Sequence, residues 1–103
     1  MNYKITLTDE ARAYLRSLDN KTKTAIARKI ETLRESPEKR GKALTANLAG
    51  YRSLHASGRY RIFYEVKSET VTVIVIGIGI RKEGSKIDVY ETMKKMIKLR
   101  LLE

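Results

Sequence analysis

The sequence predicts an α+β fold with a mostly antiparallel, twisted sheet of three to four strands and its helices on one face. Three observations lead to this prediction: a short alternating segment comes first, two amphipathic helical segments follow, and three strand-like segments precede a last helical segment. Separate runs of helices and strands are typical of α+β folds. A chain of 103 residues can bury a core without metals or disulfides, so we expect residues 1–103 to form one domain.

The first strand and the helix pair follow from hydrophobic spacing. Residues 3–7 alternate between apolar and polar side chains, which indicates a strand with one buried face. Thr8, followed by two acidic residues, is typical of a helix start, and the helix that it opens should end near Asp19. A second helix is predicted over about residues 21–35, because Pro37 ends the helical pattern. Helices joined by so few residues should pack as an antiparallel pair.

The central segment, residues 48–66, is predicted to form a hairpin. With Ser57 and Gly58 as the two central residues of the turn, Arg52 lies opposite Phe63. Because side chains alternate between the faces of a strand, this register places Arg52 and Arg61 together on the solvent side. The other face is mostly apolar and suited to a core; it carries Tyr51, His55, Tyr60, Ile62 and Tyr64.

A basic connector precedes the hairpin, and a buried strand follows it. The connector spans residues 38–47, contains Lys42, and is too short to separate two domains. Residues 71–80 are rich in β-branched side chains and apolar on both faces, as in a central strand that is covered on both sides. The two glycines in this strand indicate a bend or a close approach of another backbone. Arg81 lies where the strand ends, and Tyr90 lies at the start of the last helix.

Composition limits the classes of function. The chain has 22 lysines and arginines against 12 acidic residues, and a net charge of +10 attracts nucleic acid, anionic membranes or acidic proteins. The lack of cysteine excludes a disulfide framework, and a single histidine argues against a histidine-based metal site. We find no signal peptide and no run near the roughly 20 apolar residues of a membrane span. We therefore expect a cytoplasmic protein without metal, small-molecule cofactor or membrane partner.

Several short motifs in a fixed order resemble the RelE/ParE toxin superfamily, and more closely its RelE-like mRNA interferase branch. The likeness extends to about Met96. It implies a RelE-like fold, a toxin of a type II toxin–antitoxin system, an acidic antitoxin as partner, and mRNA on the ribosome, with contacts to ribosomal RNA, as target. The matching stretches are Tyr3 to Ile5, Ser36 and Pro37, Gly41 to Leu44, Leu48 to Arg52, Tyr60 to Tyr64, the strand end at Arg81, and Tyr90.

The resemblance also implies catalytic roles. Arg61 and Arg81 match the two active-site arginines of RelE-like toxins, and Tyr90 matches their tyrosine. Cleaving RNA without a metal requires a deprotonated 2′-hydroxyl, a stabilised phosphorane and a protonated leaving oxygen. Guanidinium groups suit the second task, since they stay charged and donate two hydrogen bonds to phosphate. A tyrosine, with a pKa of about 10 when free, becomes a usable base where cations favour the phenolate.

Three further residues are predicted to bind the substrate. Arg52 matches a phosphate-binding residue of the family, and Lys42 belongs to the basic connector, which adds affinity for phosphate without specificity. His55 is an alternative acid or base by its chemistry, although the predicted register places it on the face opposite the arginines.

Two alternative functions stay open. A ParE-like toxin poisons DNA gyrase by binding, and such toxins generally lack the arginine and tyrosine set. An inactive nucleic-acid-binding member of the fold is the other alternative, because Leu54 stands where RelE has a second lysine.

Overall fold

The computed structural model describes residues 2–82 and 88–102, and it confirms the α+β prediction. None of the helices in the described part of the chain is long and apolar enough to cross a membrane. In chain order, the elements are the strand β1 (Lys4–Leu7), the helices α1 (Asp9–Arg16) and α2 (Asn20–Glu31), the strands β2 (Lys42–Ala43), β3 (Arg52–His55), β4 (Tyr60–Lys67) and β5 (Thr72–Ile80), and the helix α3 (Val89–Leu102).

The sheet has five strands in the order β1-β5-β4-β3-β2. Among the strands in the described part of the chain, only β1 and β5 pair in parallel. The prediction of three to four strands is one short, because the two-residue strand β2 forms within the basic connector and pairs with β3. So short a strand has no alternation that a sequence pattern could reveal.

Side-chain caps begin both helices of the pair. Thr8 Oγ1 accepts a hydrogen bond from the Ala11 backbone N–H at 3.2 Å, which confirms the predicted start of α1. Asp19 Oδ2 accepts from the Thr22 N–H at 3.3 Å, so the residue predicted to end α1 also caps α2. The second helix ends earlier than predicted and passes into a single 3₁₀ turn at Thr32–Arg34.

The sheet is covered on both faces, and two buried clusters show it. The cluster on the α1 and α2 side consists of Ala11, Ile26, Ile30, Leu33, Ile62, Tyr64, Val73, Val75 and Ile78. The cluster on the α3 side consists of Leu48, Phe63, Ile76, Val89, Met93 and Ile97. The prediction that all helices share one face is therefore wrong, because β4 and β5 carry apolar side chains on both sides. The predicted central strand, β5, is confirmed.

The hairpin between β3 and β4 turns one residue later than predicted. Arg52 lies opposite Tyr64 rather than Phe63, and His55 lies opposite Arg61. The loop has three residues, with Gly58 at φ 56°, instead of two. A slip of one residue moves the side chains of one strand to the other face relative to its partner.

The core decides this register. In the observed pairing, Leu54 lies opposite Ile62 and packs against the cluster on the α1 and α2 side. The predicted register would have placed Leu54 beside Arg61 on a solvent face, so that its burial would be lost. The correction separates Arg52 from Arg61, which now lie on opposite faces of the sheet.

A β-bulge in β5 shapes the surface on which α3 packs. Tyr64 pairs with Val75 while Phe63 pairs with Gly77, so that Ile76 has no direct partner on β4. The bulge turns two successive residues, Ile76 and Gly77, towards α3.

Two glycines of β5 admit α3 close to the sheet, as predicted for this strand. A Cβ atom on Gly77 would collide with the thioether end of Met93. A Cβ atom on Gly79 would lie 2.7 Å from Val89 Cγ2 and 2.9 Å from Val89 Cβ. The absence of side chains at both positions therefore sets how near α3 approaches.

The connector is tied to the opposite face of the sheet. The buried Tyr64 hydroxyl lies 2.9 Å from the Pro37 carbonyl oxygen and 2.7 Å from that of Arg40, and it can donate its one proton to either. Arg52 Nε donates to the Arg40 carbonyl at 3.0 Å, and its Nη2 donates to the Gly41 carbonyl at 3.3 Å. Burial raises the pKa of Tyr64, and the neighbouring Arg52 acts in the opposite direction. Arg52 thus holds the connector that carries β2.

Replacing Gly79 with alanine should lower the free energy of unfolding by about 1–3 kcal/mol, the usual cost of overpacking. Val89 is β-branched and stiff in a helix, so that α3 itself must shift. Gly77→Ala is the matched control and should cost less, since the flexible Met93 side chain can move aside. Urea denaturation measures both, and equal losses would contradict this account.

Arg52→Ala should lower the free energy of unfolding by about 1.5 kcal/mol, the lower end for hydrogen bonds from a charged group. Arg52→Lys should recover little of it, because one ammonium cannot reproduce the two-nitrogen contact. Arg59→Ala removes an exposed arginine from the hairpin loop and should change stability by about 0.5 kcal/mol at most. Chemical denaturation compares the three variants. If Arg52→Ala is as stable as Arg59→Ala, Arg52 does not hold the connector.

Candidate functional site

Two rows of the sheet, running across neighbouring strands, face α3. Residues directly opposite each other in a sheet share a face, so the register assigns each row to one side. Phe63 shows that the first row faces α3, because it is buried in the cluster with α3 residues. Gly79 shows the same for the second row, because it lies against Val89 of α3. The rows are Lys42, Ser53 and Phe63, and His55, Arg61 and Gly79.

The side chain of Tyr90, in the first turn of α3, makes three contacts with other described residues. Its hydroxyl donates to Ser53 Oγ at 3.2 Å. Its ring meets Phe63 edge to face, with centroids 4.8 Å apart and planes at 72°. The Arg81 guanidinium carbon lies 4.2 Å from the centroid of the Tyr90 ring, a cation–π contact. Tyr90 is therefore fixed against the sheet with a cation next to its ring.

Arg81 forms an ion pair with a buried carboxylate. Asp88 is only 2% exposed, and its Oδ2 accepts from Arg81 Nη1 at 2.6 Å and from the Tyr90 backbone N–H at 3.1 Å. Its Oδ1 accepts from the backbone N–H of Lys82. Asp88 is thus both the cap of α3 and the ion-pair partner of Arg81.

Arg61 and His55 lie opposite each other on β4 and β3. Arg61 is half-buried, and its Nη1 donates to the Tyr60 carbonyl at 3.2 Å. His55 is exposed, and its Nε2 lies in hydrogen-bond contact with the Gly58 carbonyl. The expectation that His55 lies on the face opposite Arg61 is wrong, because it rested on the two-residue turn.

The α3 side of the sheet gathers five of the six predicted site residues. They are Lys42, His55, Arg61, Arg81 and Tyr90. Arg52 is the exception, since it lies on the other face and is bonded to the connector.

Ser53 and Asp88 belong to the site and were missed from the sequence. Asp88 had a usable signal, because an aspartate just before a helical pattern is a typical cap. Its ion pair with Arg81 had none. Ser53 had no signal either, since its contact with Tyr90 depends on the register and on how α3 packs.

The chemistry open to this site is that of cations and a phenol. Among the described residues, no group of three or more His, Cys, Asp and Glu side chains could hold a metal ion. The charges of Asp88 and Arg81 offset each other. Lys42 and Arg61 therefore give this side of the sheet additional positive charge. Positive charge on a surface attracts polyanions, and a phenol beside a guanidinium is a group that can take part in proton transfer.

The sequence matches the model of a toxin family. The family model of the ParE toxin of the type II toxin–antitoxin system parDE matches residues 5–84. Among curated proteins, no match was found.

Solved structures share the fold. A chain of the toxin–antitoxin complex RelBE2 from Mycobacterium tuberculosis is 29% identical with a TM-score of 0.72, and the match covers 79% of this chain and 93% of that one. The isolated E. coli RelE toxin is 25% identical with a TM-score of 0.69, covering 92% of this chain and 98% of its own. The chromosomal ParDE system from P. aeruginosa, 15% identical with a TM-score of 0.63, covers 76% of this chain and 95% of its own, and shows likeness in fold alone.

The family model spans most of the chain, and both RelE and ParE structures share its architecture. The chain therefore belongs to the ParE toxin family, within the RelE/ParE superfamily, and is a toxin of a type II toxin–antitoxin system.

Proposed function

We propose that this toxin is a metal-independent, ribosome-dependent mRNA endonuclease that acts in the cytoplasm and inhibits translation. The observation that carries the proposal is the Arg81 guanidinium over the Tyr90 ring, on the face of the sheet that also bears Arg61. A fixed phenol beside fixed guanidinium groups supplies both proton transfer and charge stabilisation at a phosphodiester. The likeness to E. coli RelE along 92% of the chain supports this choice.

Each group has one task in the proposed reaction. The deprotonated Tyr90 oxygen takes the proton of the RNA 2′-hydroxyl, whose oxygen attacks the adjacent phosphorus. The bond from phosphorus to the 5′-oxygen breaks, and that oxygen takes up a proton from water. Arg61 donates to the non-bridging oxygens of the phosphorane. Arg81 stabilises charge on the phosphate or on the leaving oxygen, and its own charge lies beside the ring of the base. Ser53 holds the Tyr90 hydroxyl before the substrate arrives.

Substrate binding draws on the exposed basic groups of the same face. Lys42, at the edge of the sheet, contacts phosphates of flanking nucleotides and adds affinity without base choice. His55 is a second titratable group next to Arg61. Arg52 is left out of the binding set, since the connector occupies it. Leu54 packs on the α1 and α2 side, so a leucine in place of the family's lysine leaves the α3 side unchanged.

The partners of the proposed toxin are a cognate antitoxin and the translating ribosome with its mRNA. The toxin–antitoxin complex RelBE2 supports the first partner. Because this chain carries a net charge of +10, we expect the antitoxin segment that covers it to be acidic.

A second candidate function is the inhibition of DNA gyrase by binding. The match to the ParE toxin model favours it, and the ParDE structure from P. aeruginosa has the same fold. Inhibition by binding needs no proton transfer, so that the Tyr90 hydroxyl would be dispensable.

Removing one catalytic group should separate the two candidates. Arg61→Ala and Tyr90→Phe should each lower mRNA cleavage about 100- to 1,000-fold, because each removes a group that acts on the transition state. Tyr90→Phe keeps the edge contact with Phe63. Arg81→Ala should lower cleavage as well, but it also leaves the buried Asp88 without its cation, so it is the less clean variant.

Primer extension on actively translated mRNA measures the cleavage, with Arg59→Ala as a control for the loss of one positive charge. A gyrase supercoiling assay is run on the same variants. Full toxicity of Arg61→Ala and Tyr90→Phe, with no mRNA cuts and with gyrase inhibited, would reject the endonuclease and establish the second candidate.

The ends of the RNA products test the proposed route. Attack by the 2′-hydroxyl leaves a 2′,3′-cyclic phosphate or a 3′-phosphate, and it needs no metal in the site. Cleavage should therefore persist in chelator, at magnesium levels that keep ribosomes intact. Enzymatic end-labelling of the fragments identifies the ends, and 3′-hydroxyl products or a loss of cleavage in chelator would contradict this mechanism.

A further inference from the structure

Asp88 makes more contacts than the start of a helix requires. A cap needs one side-chain oxygen that accepts from the second or third N–H of the helix, and Asp88 provides it to Tyr90 at 3.1 Å. Asparagine serves as well as aspartate in this position. Capping therefore explains one oxygen of Asp88, and the other accepts from the Lys82 backbone N–H, but neither contact explains the bond to the Arg81 guanidinium.

The charge of Asp88 acts on Arg81. The 2.6 Å contact between Asp88 Oδ2 and Arg81 Nη1 is a short, charge-assisted hydrogen bond. The Asp88 side chain is 2% exposed and that of Arg81 is 31% exposed, so that the carboxylate is shielded from water by the groups that it bonds. A buried carboxylate is strongly destabilising without its cation, which ties Arg81 to this place.

A single oxygen joins the two groups of the proposed active site. Asp88 Oδ2 accepts from the Arg81 guanidinium and from the Tyr90 backbone, and it thereby sets the position of one against the other. Ser53 and Phe63 fix the ring of Tyr90 independently of Asp88. Arg81 then lies 4.2 Å from the centroid of that ring.

We propose that Asp88 is a positioning residue that holds the Arg81 guanidinium against the Tyr90 ring, in the geometry that a phosphodiester needs to meet both groups. The catalytic consequence rests on the proposed endonuclease function. The placement of Arg81 does not, and it can be measured without RNA.

Asp88→Asn is the decisive variant, because it keeps one oxygen to cap α3, gives up the oxygen that accepts from Lys82, and removes the charge that holds Arg81. Glu91→Gln is the matched control: it removes the same charge from the same turn of α3, at an exposed carboxylate 3.4 Å from Lys94. Tyr90→Leu removes the ring and defines the Arg81 resonances without a ring current.

The first measurement is nuclear magnetic resonance of the Arg81 side chain in the whole toxin. In the parent protein, the ring current of Tyr90 should shift the Arg81 resonances away from those in Tyr90→Leu. Asp88→Asn should lose most of this shift while the amide resonances of α3 stay dispersed, and Glu91→Gln should keep it. An unchanged Arg81 shift in Asp88→Asn would overturn the proposal.

The second measurement is the rate of mRNA cleavage on defined ribosome complexes. Asp88→Asn should lower kcat about 10- to 100-fold, the usual effect of a catalytic group displaced by about 1 Å, with KM nearly unchanged. A normal kcat alongside a lost Arg81 shift would overturn the positioning role. If the parent protein cuts no mRNA, the endonuclease function fails, and the Arg81 resonances alone decide the placement.

Should Asp88→Asn fail to fold, the parent protein decides the question. An Arg81 shift relative to Tyr90→Leu, together with slow rotation of its guanidinium, supports the proposal. Arg81 resonances typical of a solvated arginine overturn it.

Discussion

The close approach of α3 to β5 is the contact on which the rest of this structure depends. Gly77 and Gly79 leave room for Met93 and Val89, and the bulge at Ile76 turns the surface of the strand towards the helix. Without that cover, the apolar residues on this side of β4 and β5 would face water, at a cost that grows with the exposed area. The same contact brings the first turn of α3 over the sheet, where its tyrosine meets Phe63. The contact that buries this side of the sheet therefore also places Tyr90 against Phe63.

Polar side chains have different roles on the two faces of the sheet. On the α1 and α2 side, Tyr64 and Arg52 bond the carbonyl groups of the connector, so polar side chains there serve the fold. On the α3 side, Lys42 and Arg61 add positive charge near a tyrosine. An arginine count cannot tell these uses apart, since both kinds carry the same charge. Only the side of the sheet on which each arginine lies, and the carbonyl groups within its reach, distinguish them.

The sequence was a good guide to element order and a poor one to register. Thr8 as a cap and the glycines of β5 follow local rules, and the structure confirms both. The turn at Ser57 and Gly58 is compatible with two or three loop residues, and the choice depends on burying Leu54, a contact far away in the chain. The third loop residue changes the register, so that Arg52 and Arg61 lie on opposite faces and His55 lies beside Arg61. The bond between Ser53 and Tyr90 joins residues 37 apart in sequence, and no local pattern encodes it.

The family model covers the sheet and the helix pair but not the first turn of α3. The match ends at residue 84, before Asp88 and Tyr90, so it reports on the sheet and on the helix pair. A scaffold with a basic face is enough for a toxin that acts by binding. The proposed chemistry on RNA makes a further demand, because the first turn of α3 has to place a tyrosine, and the carboxylate that holds Arg81, next to the end of β5. We propose that the contacts of Asp88 with Arg81 and Tyr90 meet that demand, in addition to capping α3. We therefore expect an endonuclease and a gyrase inhibitor of this fold to differ in the first turn of α3.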